Sequence, residues 1–244
     1  MNTVFVFLYF CILESGWHHD IIVPTVKTVG IFYFSIEVKT MTKVKICGIR
    51  SINAAKTAEE NGANFIGFIF WRGSHRFIEP ETARAISRDT RGCEKVGVFV
   101  DEDAELVNEI AEHVGLDYVQ LHGHEPPSYA AKIKRPVIKA YRFGDDFDPE
   151  AANEYPAELI LIDTFKKGQV GGTGERFDWR GAAKETGKLQ KPFLTAGGIS
   201  KENVKEAIDI FHPMGIDVSG SLEVNREKST RLIEEFLDYF NEIR

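Results

Sequence analysis

From residue 41 onward the chain repeats one unit, a short apolar run rich in Val, Ile and Phe followed by a longer stretch of helical periodicity. Runs such as Phe65-Ile66-Gly67-Phe68-Ile69-Phe70 and Leu159-Ile160-Leu161-Ile162 lack the alternation of a strand that faces water on one side. They suit strands buried on both faces, which belong to parallel sheets covered by helices. Eight such pairs can be counted, with strands expected at 43–47, 65–70, 95–100, 117–121, 136–141, 159–163, 192–196 and 214–218. Eight repeats favour closure into a (β/α)8 TIM barrel over an open doubly wound sheet. Helical stretches read as Ile52–Asn61, Ala104–Val114 and Asn203–Phe211. Asp103 stands where it can cap the second, and Ser200 precedes a charged first turn, Lys201-Glu202-Asn203, in the third. Gly62 and Gly115 fall where helices should stop.

No linker or shift of composition divides 41–244, so the fold class expected is α/β, a single-domain (β/α)8 barrel. Residues 1–40 stand apart as an N-terminal extension. Val4 to Leu13 is an apolar, aromatic-rich run, too short to span a bilayer, with no Lys or Arg ahead of it and no small-residue cleavage pattern behind it. The expectation is that the functional chain begins at Met41, that 1–40 is loosely packed, and that there is no membrane partner.

The 244 residues carry a formal net charge of -7, which argues against nucleic acid or an anionic membrane as partner, because both need a dense cationic face. An anionic substrate would need a local positive site. The three cysteines, Cys11, Cys47 and Cys93, form no CxxC pair and leave an odd count. Neither a disulfide framework nor a structural zinc site is expected, and a reduced, cytoplasmic setting follows.

In such barrels the active site forms where the loops leave the C-terminal ends of the strands. Residues at or just past the expected strand ends include Cys47, Arg72 to Arg76, Asp101, His122, Arg142, Asp163, Gly197-Gly198 and Ser219-Gly220-Ser221. The last two loops place small residues where backbone N–H groups can approach an anion, at the two positions where these barrels frequently hold phosphate. Asp163 closes the most apolar strand, so desolvation would raise its pKa and suit it to proton donation; an ordinary turn aspartate is the alternative. The loop after it, 166–177, holds four glycines and could serve as a lid. A lone cysteine such as Cys47 is more often inert core. At the end of the first strand, however, it can face the same mouth as Asp163. A thiol of ordinary pKa is about 3% thiolate at pH 7, and a downward shift of about one unit, with Arg76 as one possible cause, would raise that to roughly a quarter.

Several segments together resemble the phosphoribosylanthranilate isomerase family over essentially all of 43–244. They are Lys45-Ile46-Cys47-Gly48-Ile49, Gly67-Phe68-Ile69-Phe70 with Ser74-His75-Arg76-Phe77, Gly97-Val98-Phe99-Val100-Asp101 and Val119-Gln120-Leu121-His122-Gly123. Leu161-Ile162-Asp163-Thr164, Gly171-Gly172-Thr173-Gly174 with Phe177-Asp178-Trp179, Ala196-Gly197-Gly198-Ile199 and Asp217-Val218-Ser219 complete the set. The resemblance implies an Amadori rearrangement of N-(5-phosphoribosyl)anthranilate in tryptophan biosynthesis, with no cofactor and no metal, by a monomer or homodimer. It implies Asp163 as general acid, Cys47 as general base, and Arg76 as a substrate contact, with Gln120 and His122 lining the same mouth. Gly198, Ser219 and Gly220 match phosphate-binding positions, beside Gly197 in the same loop. The chain departs at Ser219-Gly220-Ser221-Leu222-Glu223, where the family more often has Ser-Ser-Gly before Val-Glu.

Three other readings compete. His122-Gly123-His124 could hold a metal if both rings shared a strand face. Another phosphate-binding barrel, such as indole-glycerol-phosphate synthase or a ribulose-phosphate epimerase, would share the last two loops but not the cysteine and aspartate. A non-catalytic phosphate-sugar binder would not need Cys47 or Asp163.

Overall fold

The computed structural model describes residues 41–144, 147–164 and 179–244. Its strands are β1 (Lys43–Cys47), β2 (Phe65–Ile69), β3 (Glu94–Phe99), β4 (Tyr118–Leu121), β5 (Val137–Arg142), β6 (Leu159–Asp163), β7 (Phe193–Ala196) and β8 (Gly215–Val218). They pair in sequence order, all parallel, and β8 returns to β1 with Lys43 opposite Gly215 and Lys45 opposite Asp217, closing the barrel. Each expected strand lies within a residue or so of an observed one, because a run buried on both faces leaves little choice of boundary.

The helices on the outside are α1 (Ile52–Glu60), α2 (Pro80–Asp89), α3 (Ala104–Val114), α4 (Pro127–Ala130), α5 (Pro149–Glu154), α6 (Trp179–Thr186), α7 (Val204–Phe211) and α8 (Thr230–Ile243). A short hairpin, β9 (Glu223–Val224) and β10 (Glu227–Lys228), precedes α8. Asp103 does cap α3, its carboxylate accepting from the Glu105 and Leu106 amides, and Gly115 ends that helix in the left-handed region at φ 74°. Ser200 is not the cap of α7. Lys201 to Asn203 form a turn ahead of it, in which the Asn203 side chain accepts from the Ser200 amide, and Asn203 stands at the N-cap without a side-chain cap bond to the helix.

Side chains alternate between two apolar layers. Outward-facing strand residues such as Ile46, Ile66 and Phe68 pack under the helices with Ile233, Phe236, Leu237 and Phe240 of α8. Each such aromatic buried gains about 1.5–3 kcal/mol over an exposed one. The barrel interior is a second cluster built from Phe65, Val96, Ile138, Leu161, Leu194 and their neighbours. That interior plugs the barrel, so only its C-terminal mouth remains open for chemistry. Thr42–Arg244 forms one compact unit. Residues 1–40 and the glycine-rich loop 166–177 lie outside the described residues. Among the described residues no helix is long and apolar enough to cross a membrane.

Candidate active site

A cavity of about 520 Å³ opens at the C-terminal mouth. Cys47, Asp163, Arg76, Gln120 and His122 all line it, and so do Gly197, Gly198, Ser219 and Gly220. Of the strand-end residues read from the sequence, these nine and Ser221 reach the same space, whereas Arg72, Asp101 and Arg142 are not part of its lining. A volume of this order suits a drug-sized ligand.

Cys47 ends β1 with only 6% of its surface exposed. It stands opposite Gly67, where a Cβ would come within 2.9 Å of the sulfur, so the absence of a side chain on β2 is what makes room for the thiol. Burial pushes the thiol up, and the Lys45 ammonium pulls it back down, with Asp217 adding to the rise and Lys228 opposing it. The expected downward shift under Arg76 is thus corrected in both sign and partner. Full burial outweighs the cations, and the Arg76 guanidinium is taken up by Glu223 through Nε to Oε1 at 2.5 Å and Nη2 to Oε2 at 3.0 Å.

Arg76 still reaches the site. Its Cδ lies over Gly48, where a Cβ would sit 2.7 Å away, and its Nη2 lies 3.4 Å from where a Cβ of Gly220 would be. Lys228 also donates to Glu223, at 2.6 Å, and to the Ser219 carbonyl at 3.2 Å. Burial alone would raise the Glu223 carboxyl, but hydrogen bonds from Arg76 and Lys228 hold it down to about 2.

Asp163 closes β6 in register with Ala196, and 24% of its side chain is exposed. The His122 Nε2 stands 3.9 Å from its Oδ2. Burial, assisted by Lys45, Arg142 and Lys139, pushes the His122 imidazole down to about 4, so the ring is neutral at pH 7. With the Gln120 amide donating from Nε2 to Nδ1 at 3.0 Å, the ring proton resides on Nε2 and points toward Asp163. Gln120 is 1% exposed, and its Oε1 has no partner among the described residues, leaving a buried acceptor beside the cavity.

The glycine loops turn sharply at the rim. Gly197 and Gly198 have φ of 95° and 67°, and no atom stands within 4 Å of where a Gly198 Cβ would be, so backbone conformation rather than crowding calls for glycine there. The Ser219 hydroxyl donates to the Cys47 carbonyl at 3.0 Å and the Ser221 hydroxyl to the Ile199 carbonyl at 2.7 Å, which ties the two loops to each other and to β1. Among the described residues the amides of Gly198, Gly220 and Ser221 donate to no backbone carbonyl.

The histidine pair is not a metal site in this geometry. His122 faces the cavity, while the His124 side chain is 81% exposed on the rim beside Asp101. Among the described residues no three His, Cys, Asp or Glu side chains gather as metal ligands would. Sequence reasoning gave no role to Lys45, Asp217, Glu223 or Lys228. The first two form a buried ion pair at 3.0 Å inside the barrel. Their signal was a charge in the middle of an apolar strand, which only makes sense with a partner.

Fold and mouth together define the class: a (β/α)8-barrel enzyme with a thiol, a carboxyl and a pair of glycine-lined loops around one cavity. The family model described as N-(5'phosphoribosyl)anthranilate (PRA) isomerase matches residues 44–239, and the chain belongs to that family. An N-(5'-phosphoribosyl)anthranilate isomerase from Desulforudis audaxviator is 44% identical over 200 residues, which covers 81% of this chain and 97% of the relative. The phosphoribosyl anthranilate isomerase of Thermotoga maritima superposes with a TM-score of 0.75 at 37% identity, covering 83% of this chain and all (100%) of that one. A solved relative bound to reduced 1-(o-carboxyphenylamino)-1-deoxyribulose 5-phosphate gives a TM-score of 0.73 at 35% identity, with coverage of 83% and 100%.

Proposed function

We propose that this isomerase converts N-(5-phosphoribosyl)anthranilate to 1-(2-carboxyphenylamino)-1-deoxyribulose 5-phosphate in tryptophan biosynthesis, with Asp163 as general acid and Cys47 as general base. The observation that carries the reading is that a thiol on β1 and a carboxyl on β6, three strands apart around the barrel, line one cavity together with both glycine loops.

The chemistry follows from where each group can act. Asp163 gives its proton to the furanose ring oxygen; the C1–O bond breaks and the nitrogen lone pair forms a C=N iminium. That iminium is an electron sink, so the C2–H becomes acidic enough for a thiolate to remove. The C–H electron pair forms the C1=C2 bond of an enolamine, whose hydroxyl proton is lost as C1 gains one, giving the C2 ketone. Asp163 and Cys47 regain their starting states by proton exchange through solvent.

The remaining residues hold the substrate. A 5-phosphate in the cradle would be met by the amides of Gly198, Gly220 and Ser221, with Gly197 and Ser219 shaping the turns. Arg76 offers its guanidinium to an anionic group of the substrate, and the bare Oε1 of Gln120 offers an acceptor to a substrate hydroxyl or N–H. His122, neutral and with its proton on Nε2, cannot act as a cationic acid at pH 7 and instead faces Asp163 as a neutral donor.

The test is the loss of substrate fluorescence with the purified full chain. Cys47→Ala and Asp163→Ala should each lower turnover by at least about 10²-fold, the usual worth of a general acid or base, while substrate still binds. If both variants keep near-full turnover, the roles are wrong.

A further inference from the structure

Beneath the cavity lies a charged pair, Lys45 and Asp217, that the mechanism above does not use. Lys45 and Cys47 are two residues apart on β1, so their side chains leave the same face of the strand, into the barrel. Lys45 is 0% exposed and Cys47 6%. Both converge on the bare Cα of Gly67, where a Cβ would meet the Cys47 sulfur at 2.9 Å and the Lys45 Cε at 3.3 Å. The lysine therefore runs up the interior beside the sulfur. Asp217, opposite Lys45 in the β1–β8 register, accepts from its Nζ at 3.0 Å and itself borders the cavity.

A buried ion pair of this kind is expensive to desolvate and is often replaceable by apolar residues without loss of stability. The interior around the pair is built mainly from apolar side chains. The pair sits in the layer directly beneath Cys47, among the described residues the one thiol that lines the cavity, which gives it a use. We propose that Lys45, anchored by Asp217, is a positioning residue whose ammonium is the resident counter-ion of the Cys47 thiolate. This rests on Cys47 being the base. A carboxylate in place of the thiol would be ionised without help; a thiol walled in by apolar strands would not, and the ammonium offsets part of that burial.

The other charged groups around the sulfur do not substitute for it. Lys228 approaches from β10 but is held by Glu223, and Arg76, from the loop after β2, is held by the same carboxylate. β2 itself presents Gly67 and Ile69, which carry no charge, and Asp217 on β8 is anionic. His122 and Asp163 line the cavity from β4 and β6, the first neutral and the second a carboxyl.

The experiment is the pH dependence of iodoacetamide alkylation at Cys47 in the full chain, read by mass spectrometry of the Cys47 peptide so that Cys11 and Cys93 do not contribute. Lys45→Met should move the midpoint up by about one pH unit or more, a tenfold loss of thiolate per unit, and should move the acid limb of kcat/KM with it. Asp217→Asn, which leaves the ammonium with the sulfur as its nearest anion, should move the midpoint down. A folded Lys45→Met whose midpoint and acid limb coincide with wild type overturns the proposal. Should Lys45→Met not fold, a midpoint for Asp217→Asn at or above wild type overturns it equally. Alkylation reports thiol acidity whether or not Cys47 is the base, so failure of the base assignment would show separately as an active Cys47→Ala.

Discussion

Glu223 holds two cations at the mouth, Arg76 and Lys228, and Glu223→Gln isolates its charge. The side chain keeps its size and one acceptor oxygen, but the carboxylate that receives two bonds from Arg76 and one from Lys228 is gone. Lys228, 3% exposed, is then left as a buried cation without its counter-ion. A carboxyl held at about 2 against an ordinary 4.5 corresponds to about 3 kcal/mol at 1.36 kcal/mol per unit. Arg76 is 25% open to solvent, and screening on that side brings the figure to about 2 kcal/mol. For a domain of this size that is a fall in Tm of roughly 4–8 °C at pH 7.

The pH dependence gives the sharper test. Because the folded carboxyl is the more acidic one, its contribution is present above about pH 4.5 and is lost as pH falls toward about 2. The Tm gap between wild type and Glu223→Gln should therefore hold from neutral pH to about 4.5 and shrink below it. Calorimetry of both proteins from neutral pH down to about pH 3 reads it directly. A gap of zero at pH 7, or one that does not change on acidification, would refute the reasoning. In kinetics the same variant should raise KM more than it lowers kcat, since Arg76 loses the partner that aims it.

Two further outcomes are expected. Gly67→Ala puts a methyl 2.9 Å from the Cys47 sulfur and 3.2 Å from its Cα, so it should destabilise by about 1–3 kcal/mol and lose more activity than stability alone explains; a urea midpoint and turnover equal to wild type would contradict this. His122 is neutral when folded and held to about 4 against an ordinary 6.5, so the unfolded chain binds the extra proton between those values and stability drops as pH falls through that window. His122→Asn should flatten that part of the Tm profile, and an unchanged slope would show that the ring is not buried as described.

How much of this was legible in the sequence depends on how local each cause is. Strands such as Leu159–Asp163 could be placed because burial on both faces is written into consecutive residues, and the strand-end rule then located Cys47, Asp163 and the two glycine loops. The turn at Lys201 to Asn203 that sets Ser200 apart from α7 rests on contacts that residue type alone does not give. Lys45 with Asp217, and Arg76 with Glu223, are each separated by well over a hundred residues and meet only when the barrel closes. Without those pairings the charge around Cys47 could not be read: the sequence offered Arg76 as one possible cation there, whereas Lys45 is the cation that acts on the thiol most. The lid expected at 166–177 lies outside the described residues.

The most direct test of the division of labour between Asp163 and Cys47 is the primary isotope effect on kcat with substrate deuterated at C2, measured in Cys47→Ala and Asp163→Ala. Without Cys47, removal of the C2 proton should limit the rate and the isotope effect should be fully expressed; without Asp163, ring opening should limit and the effect should vanish. Equal effects in the two variants, or the reverse order, would contradict the account.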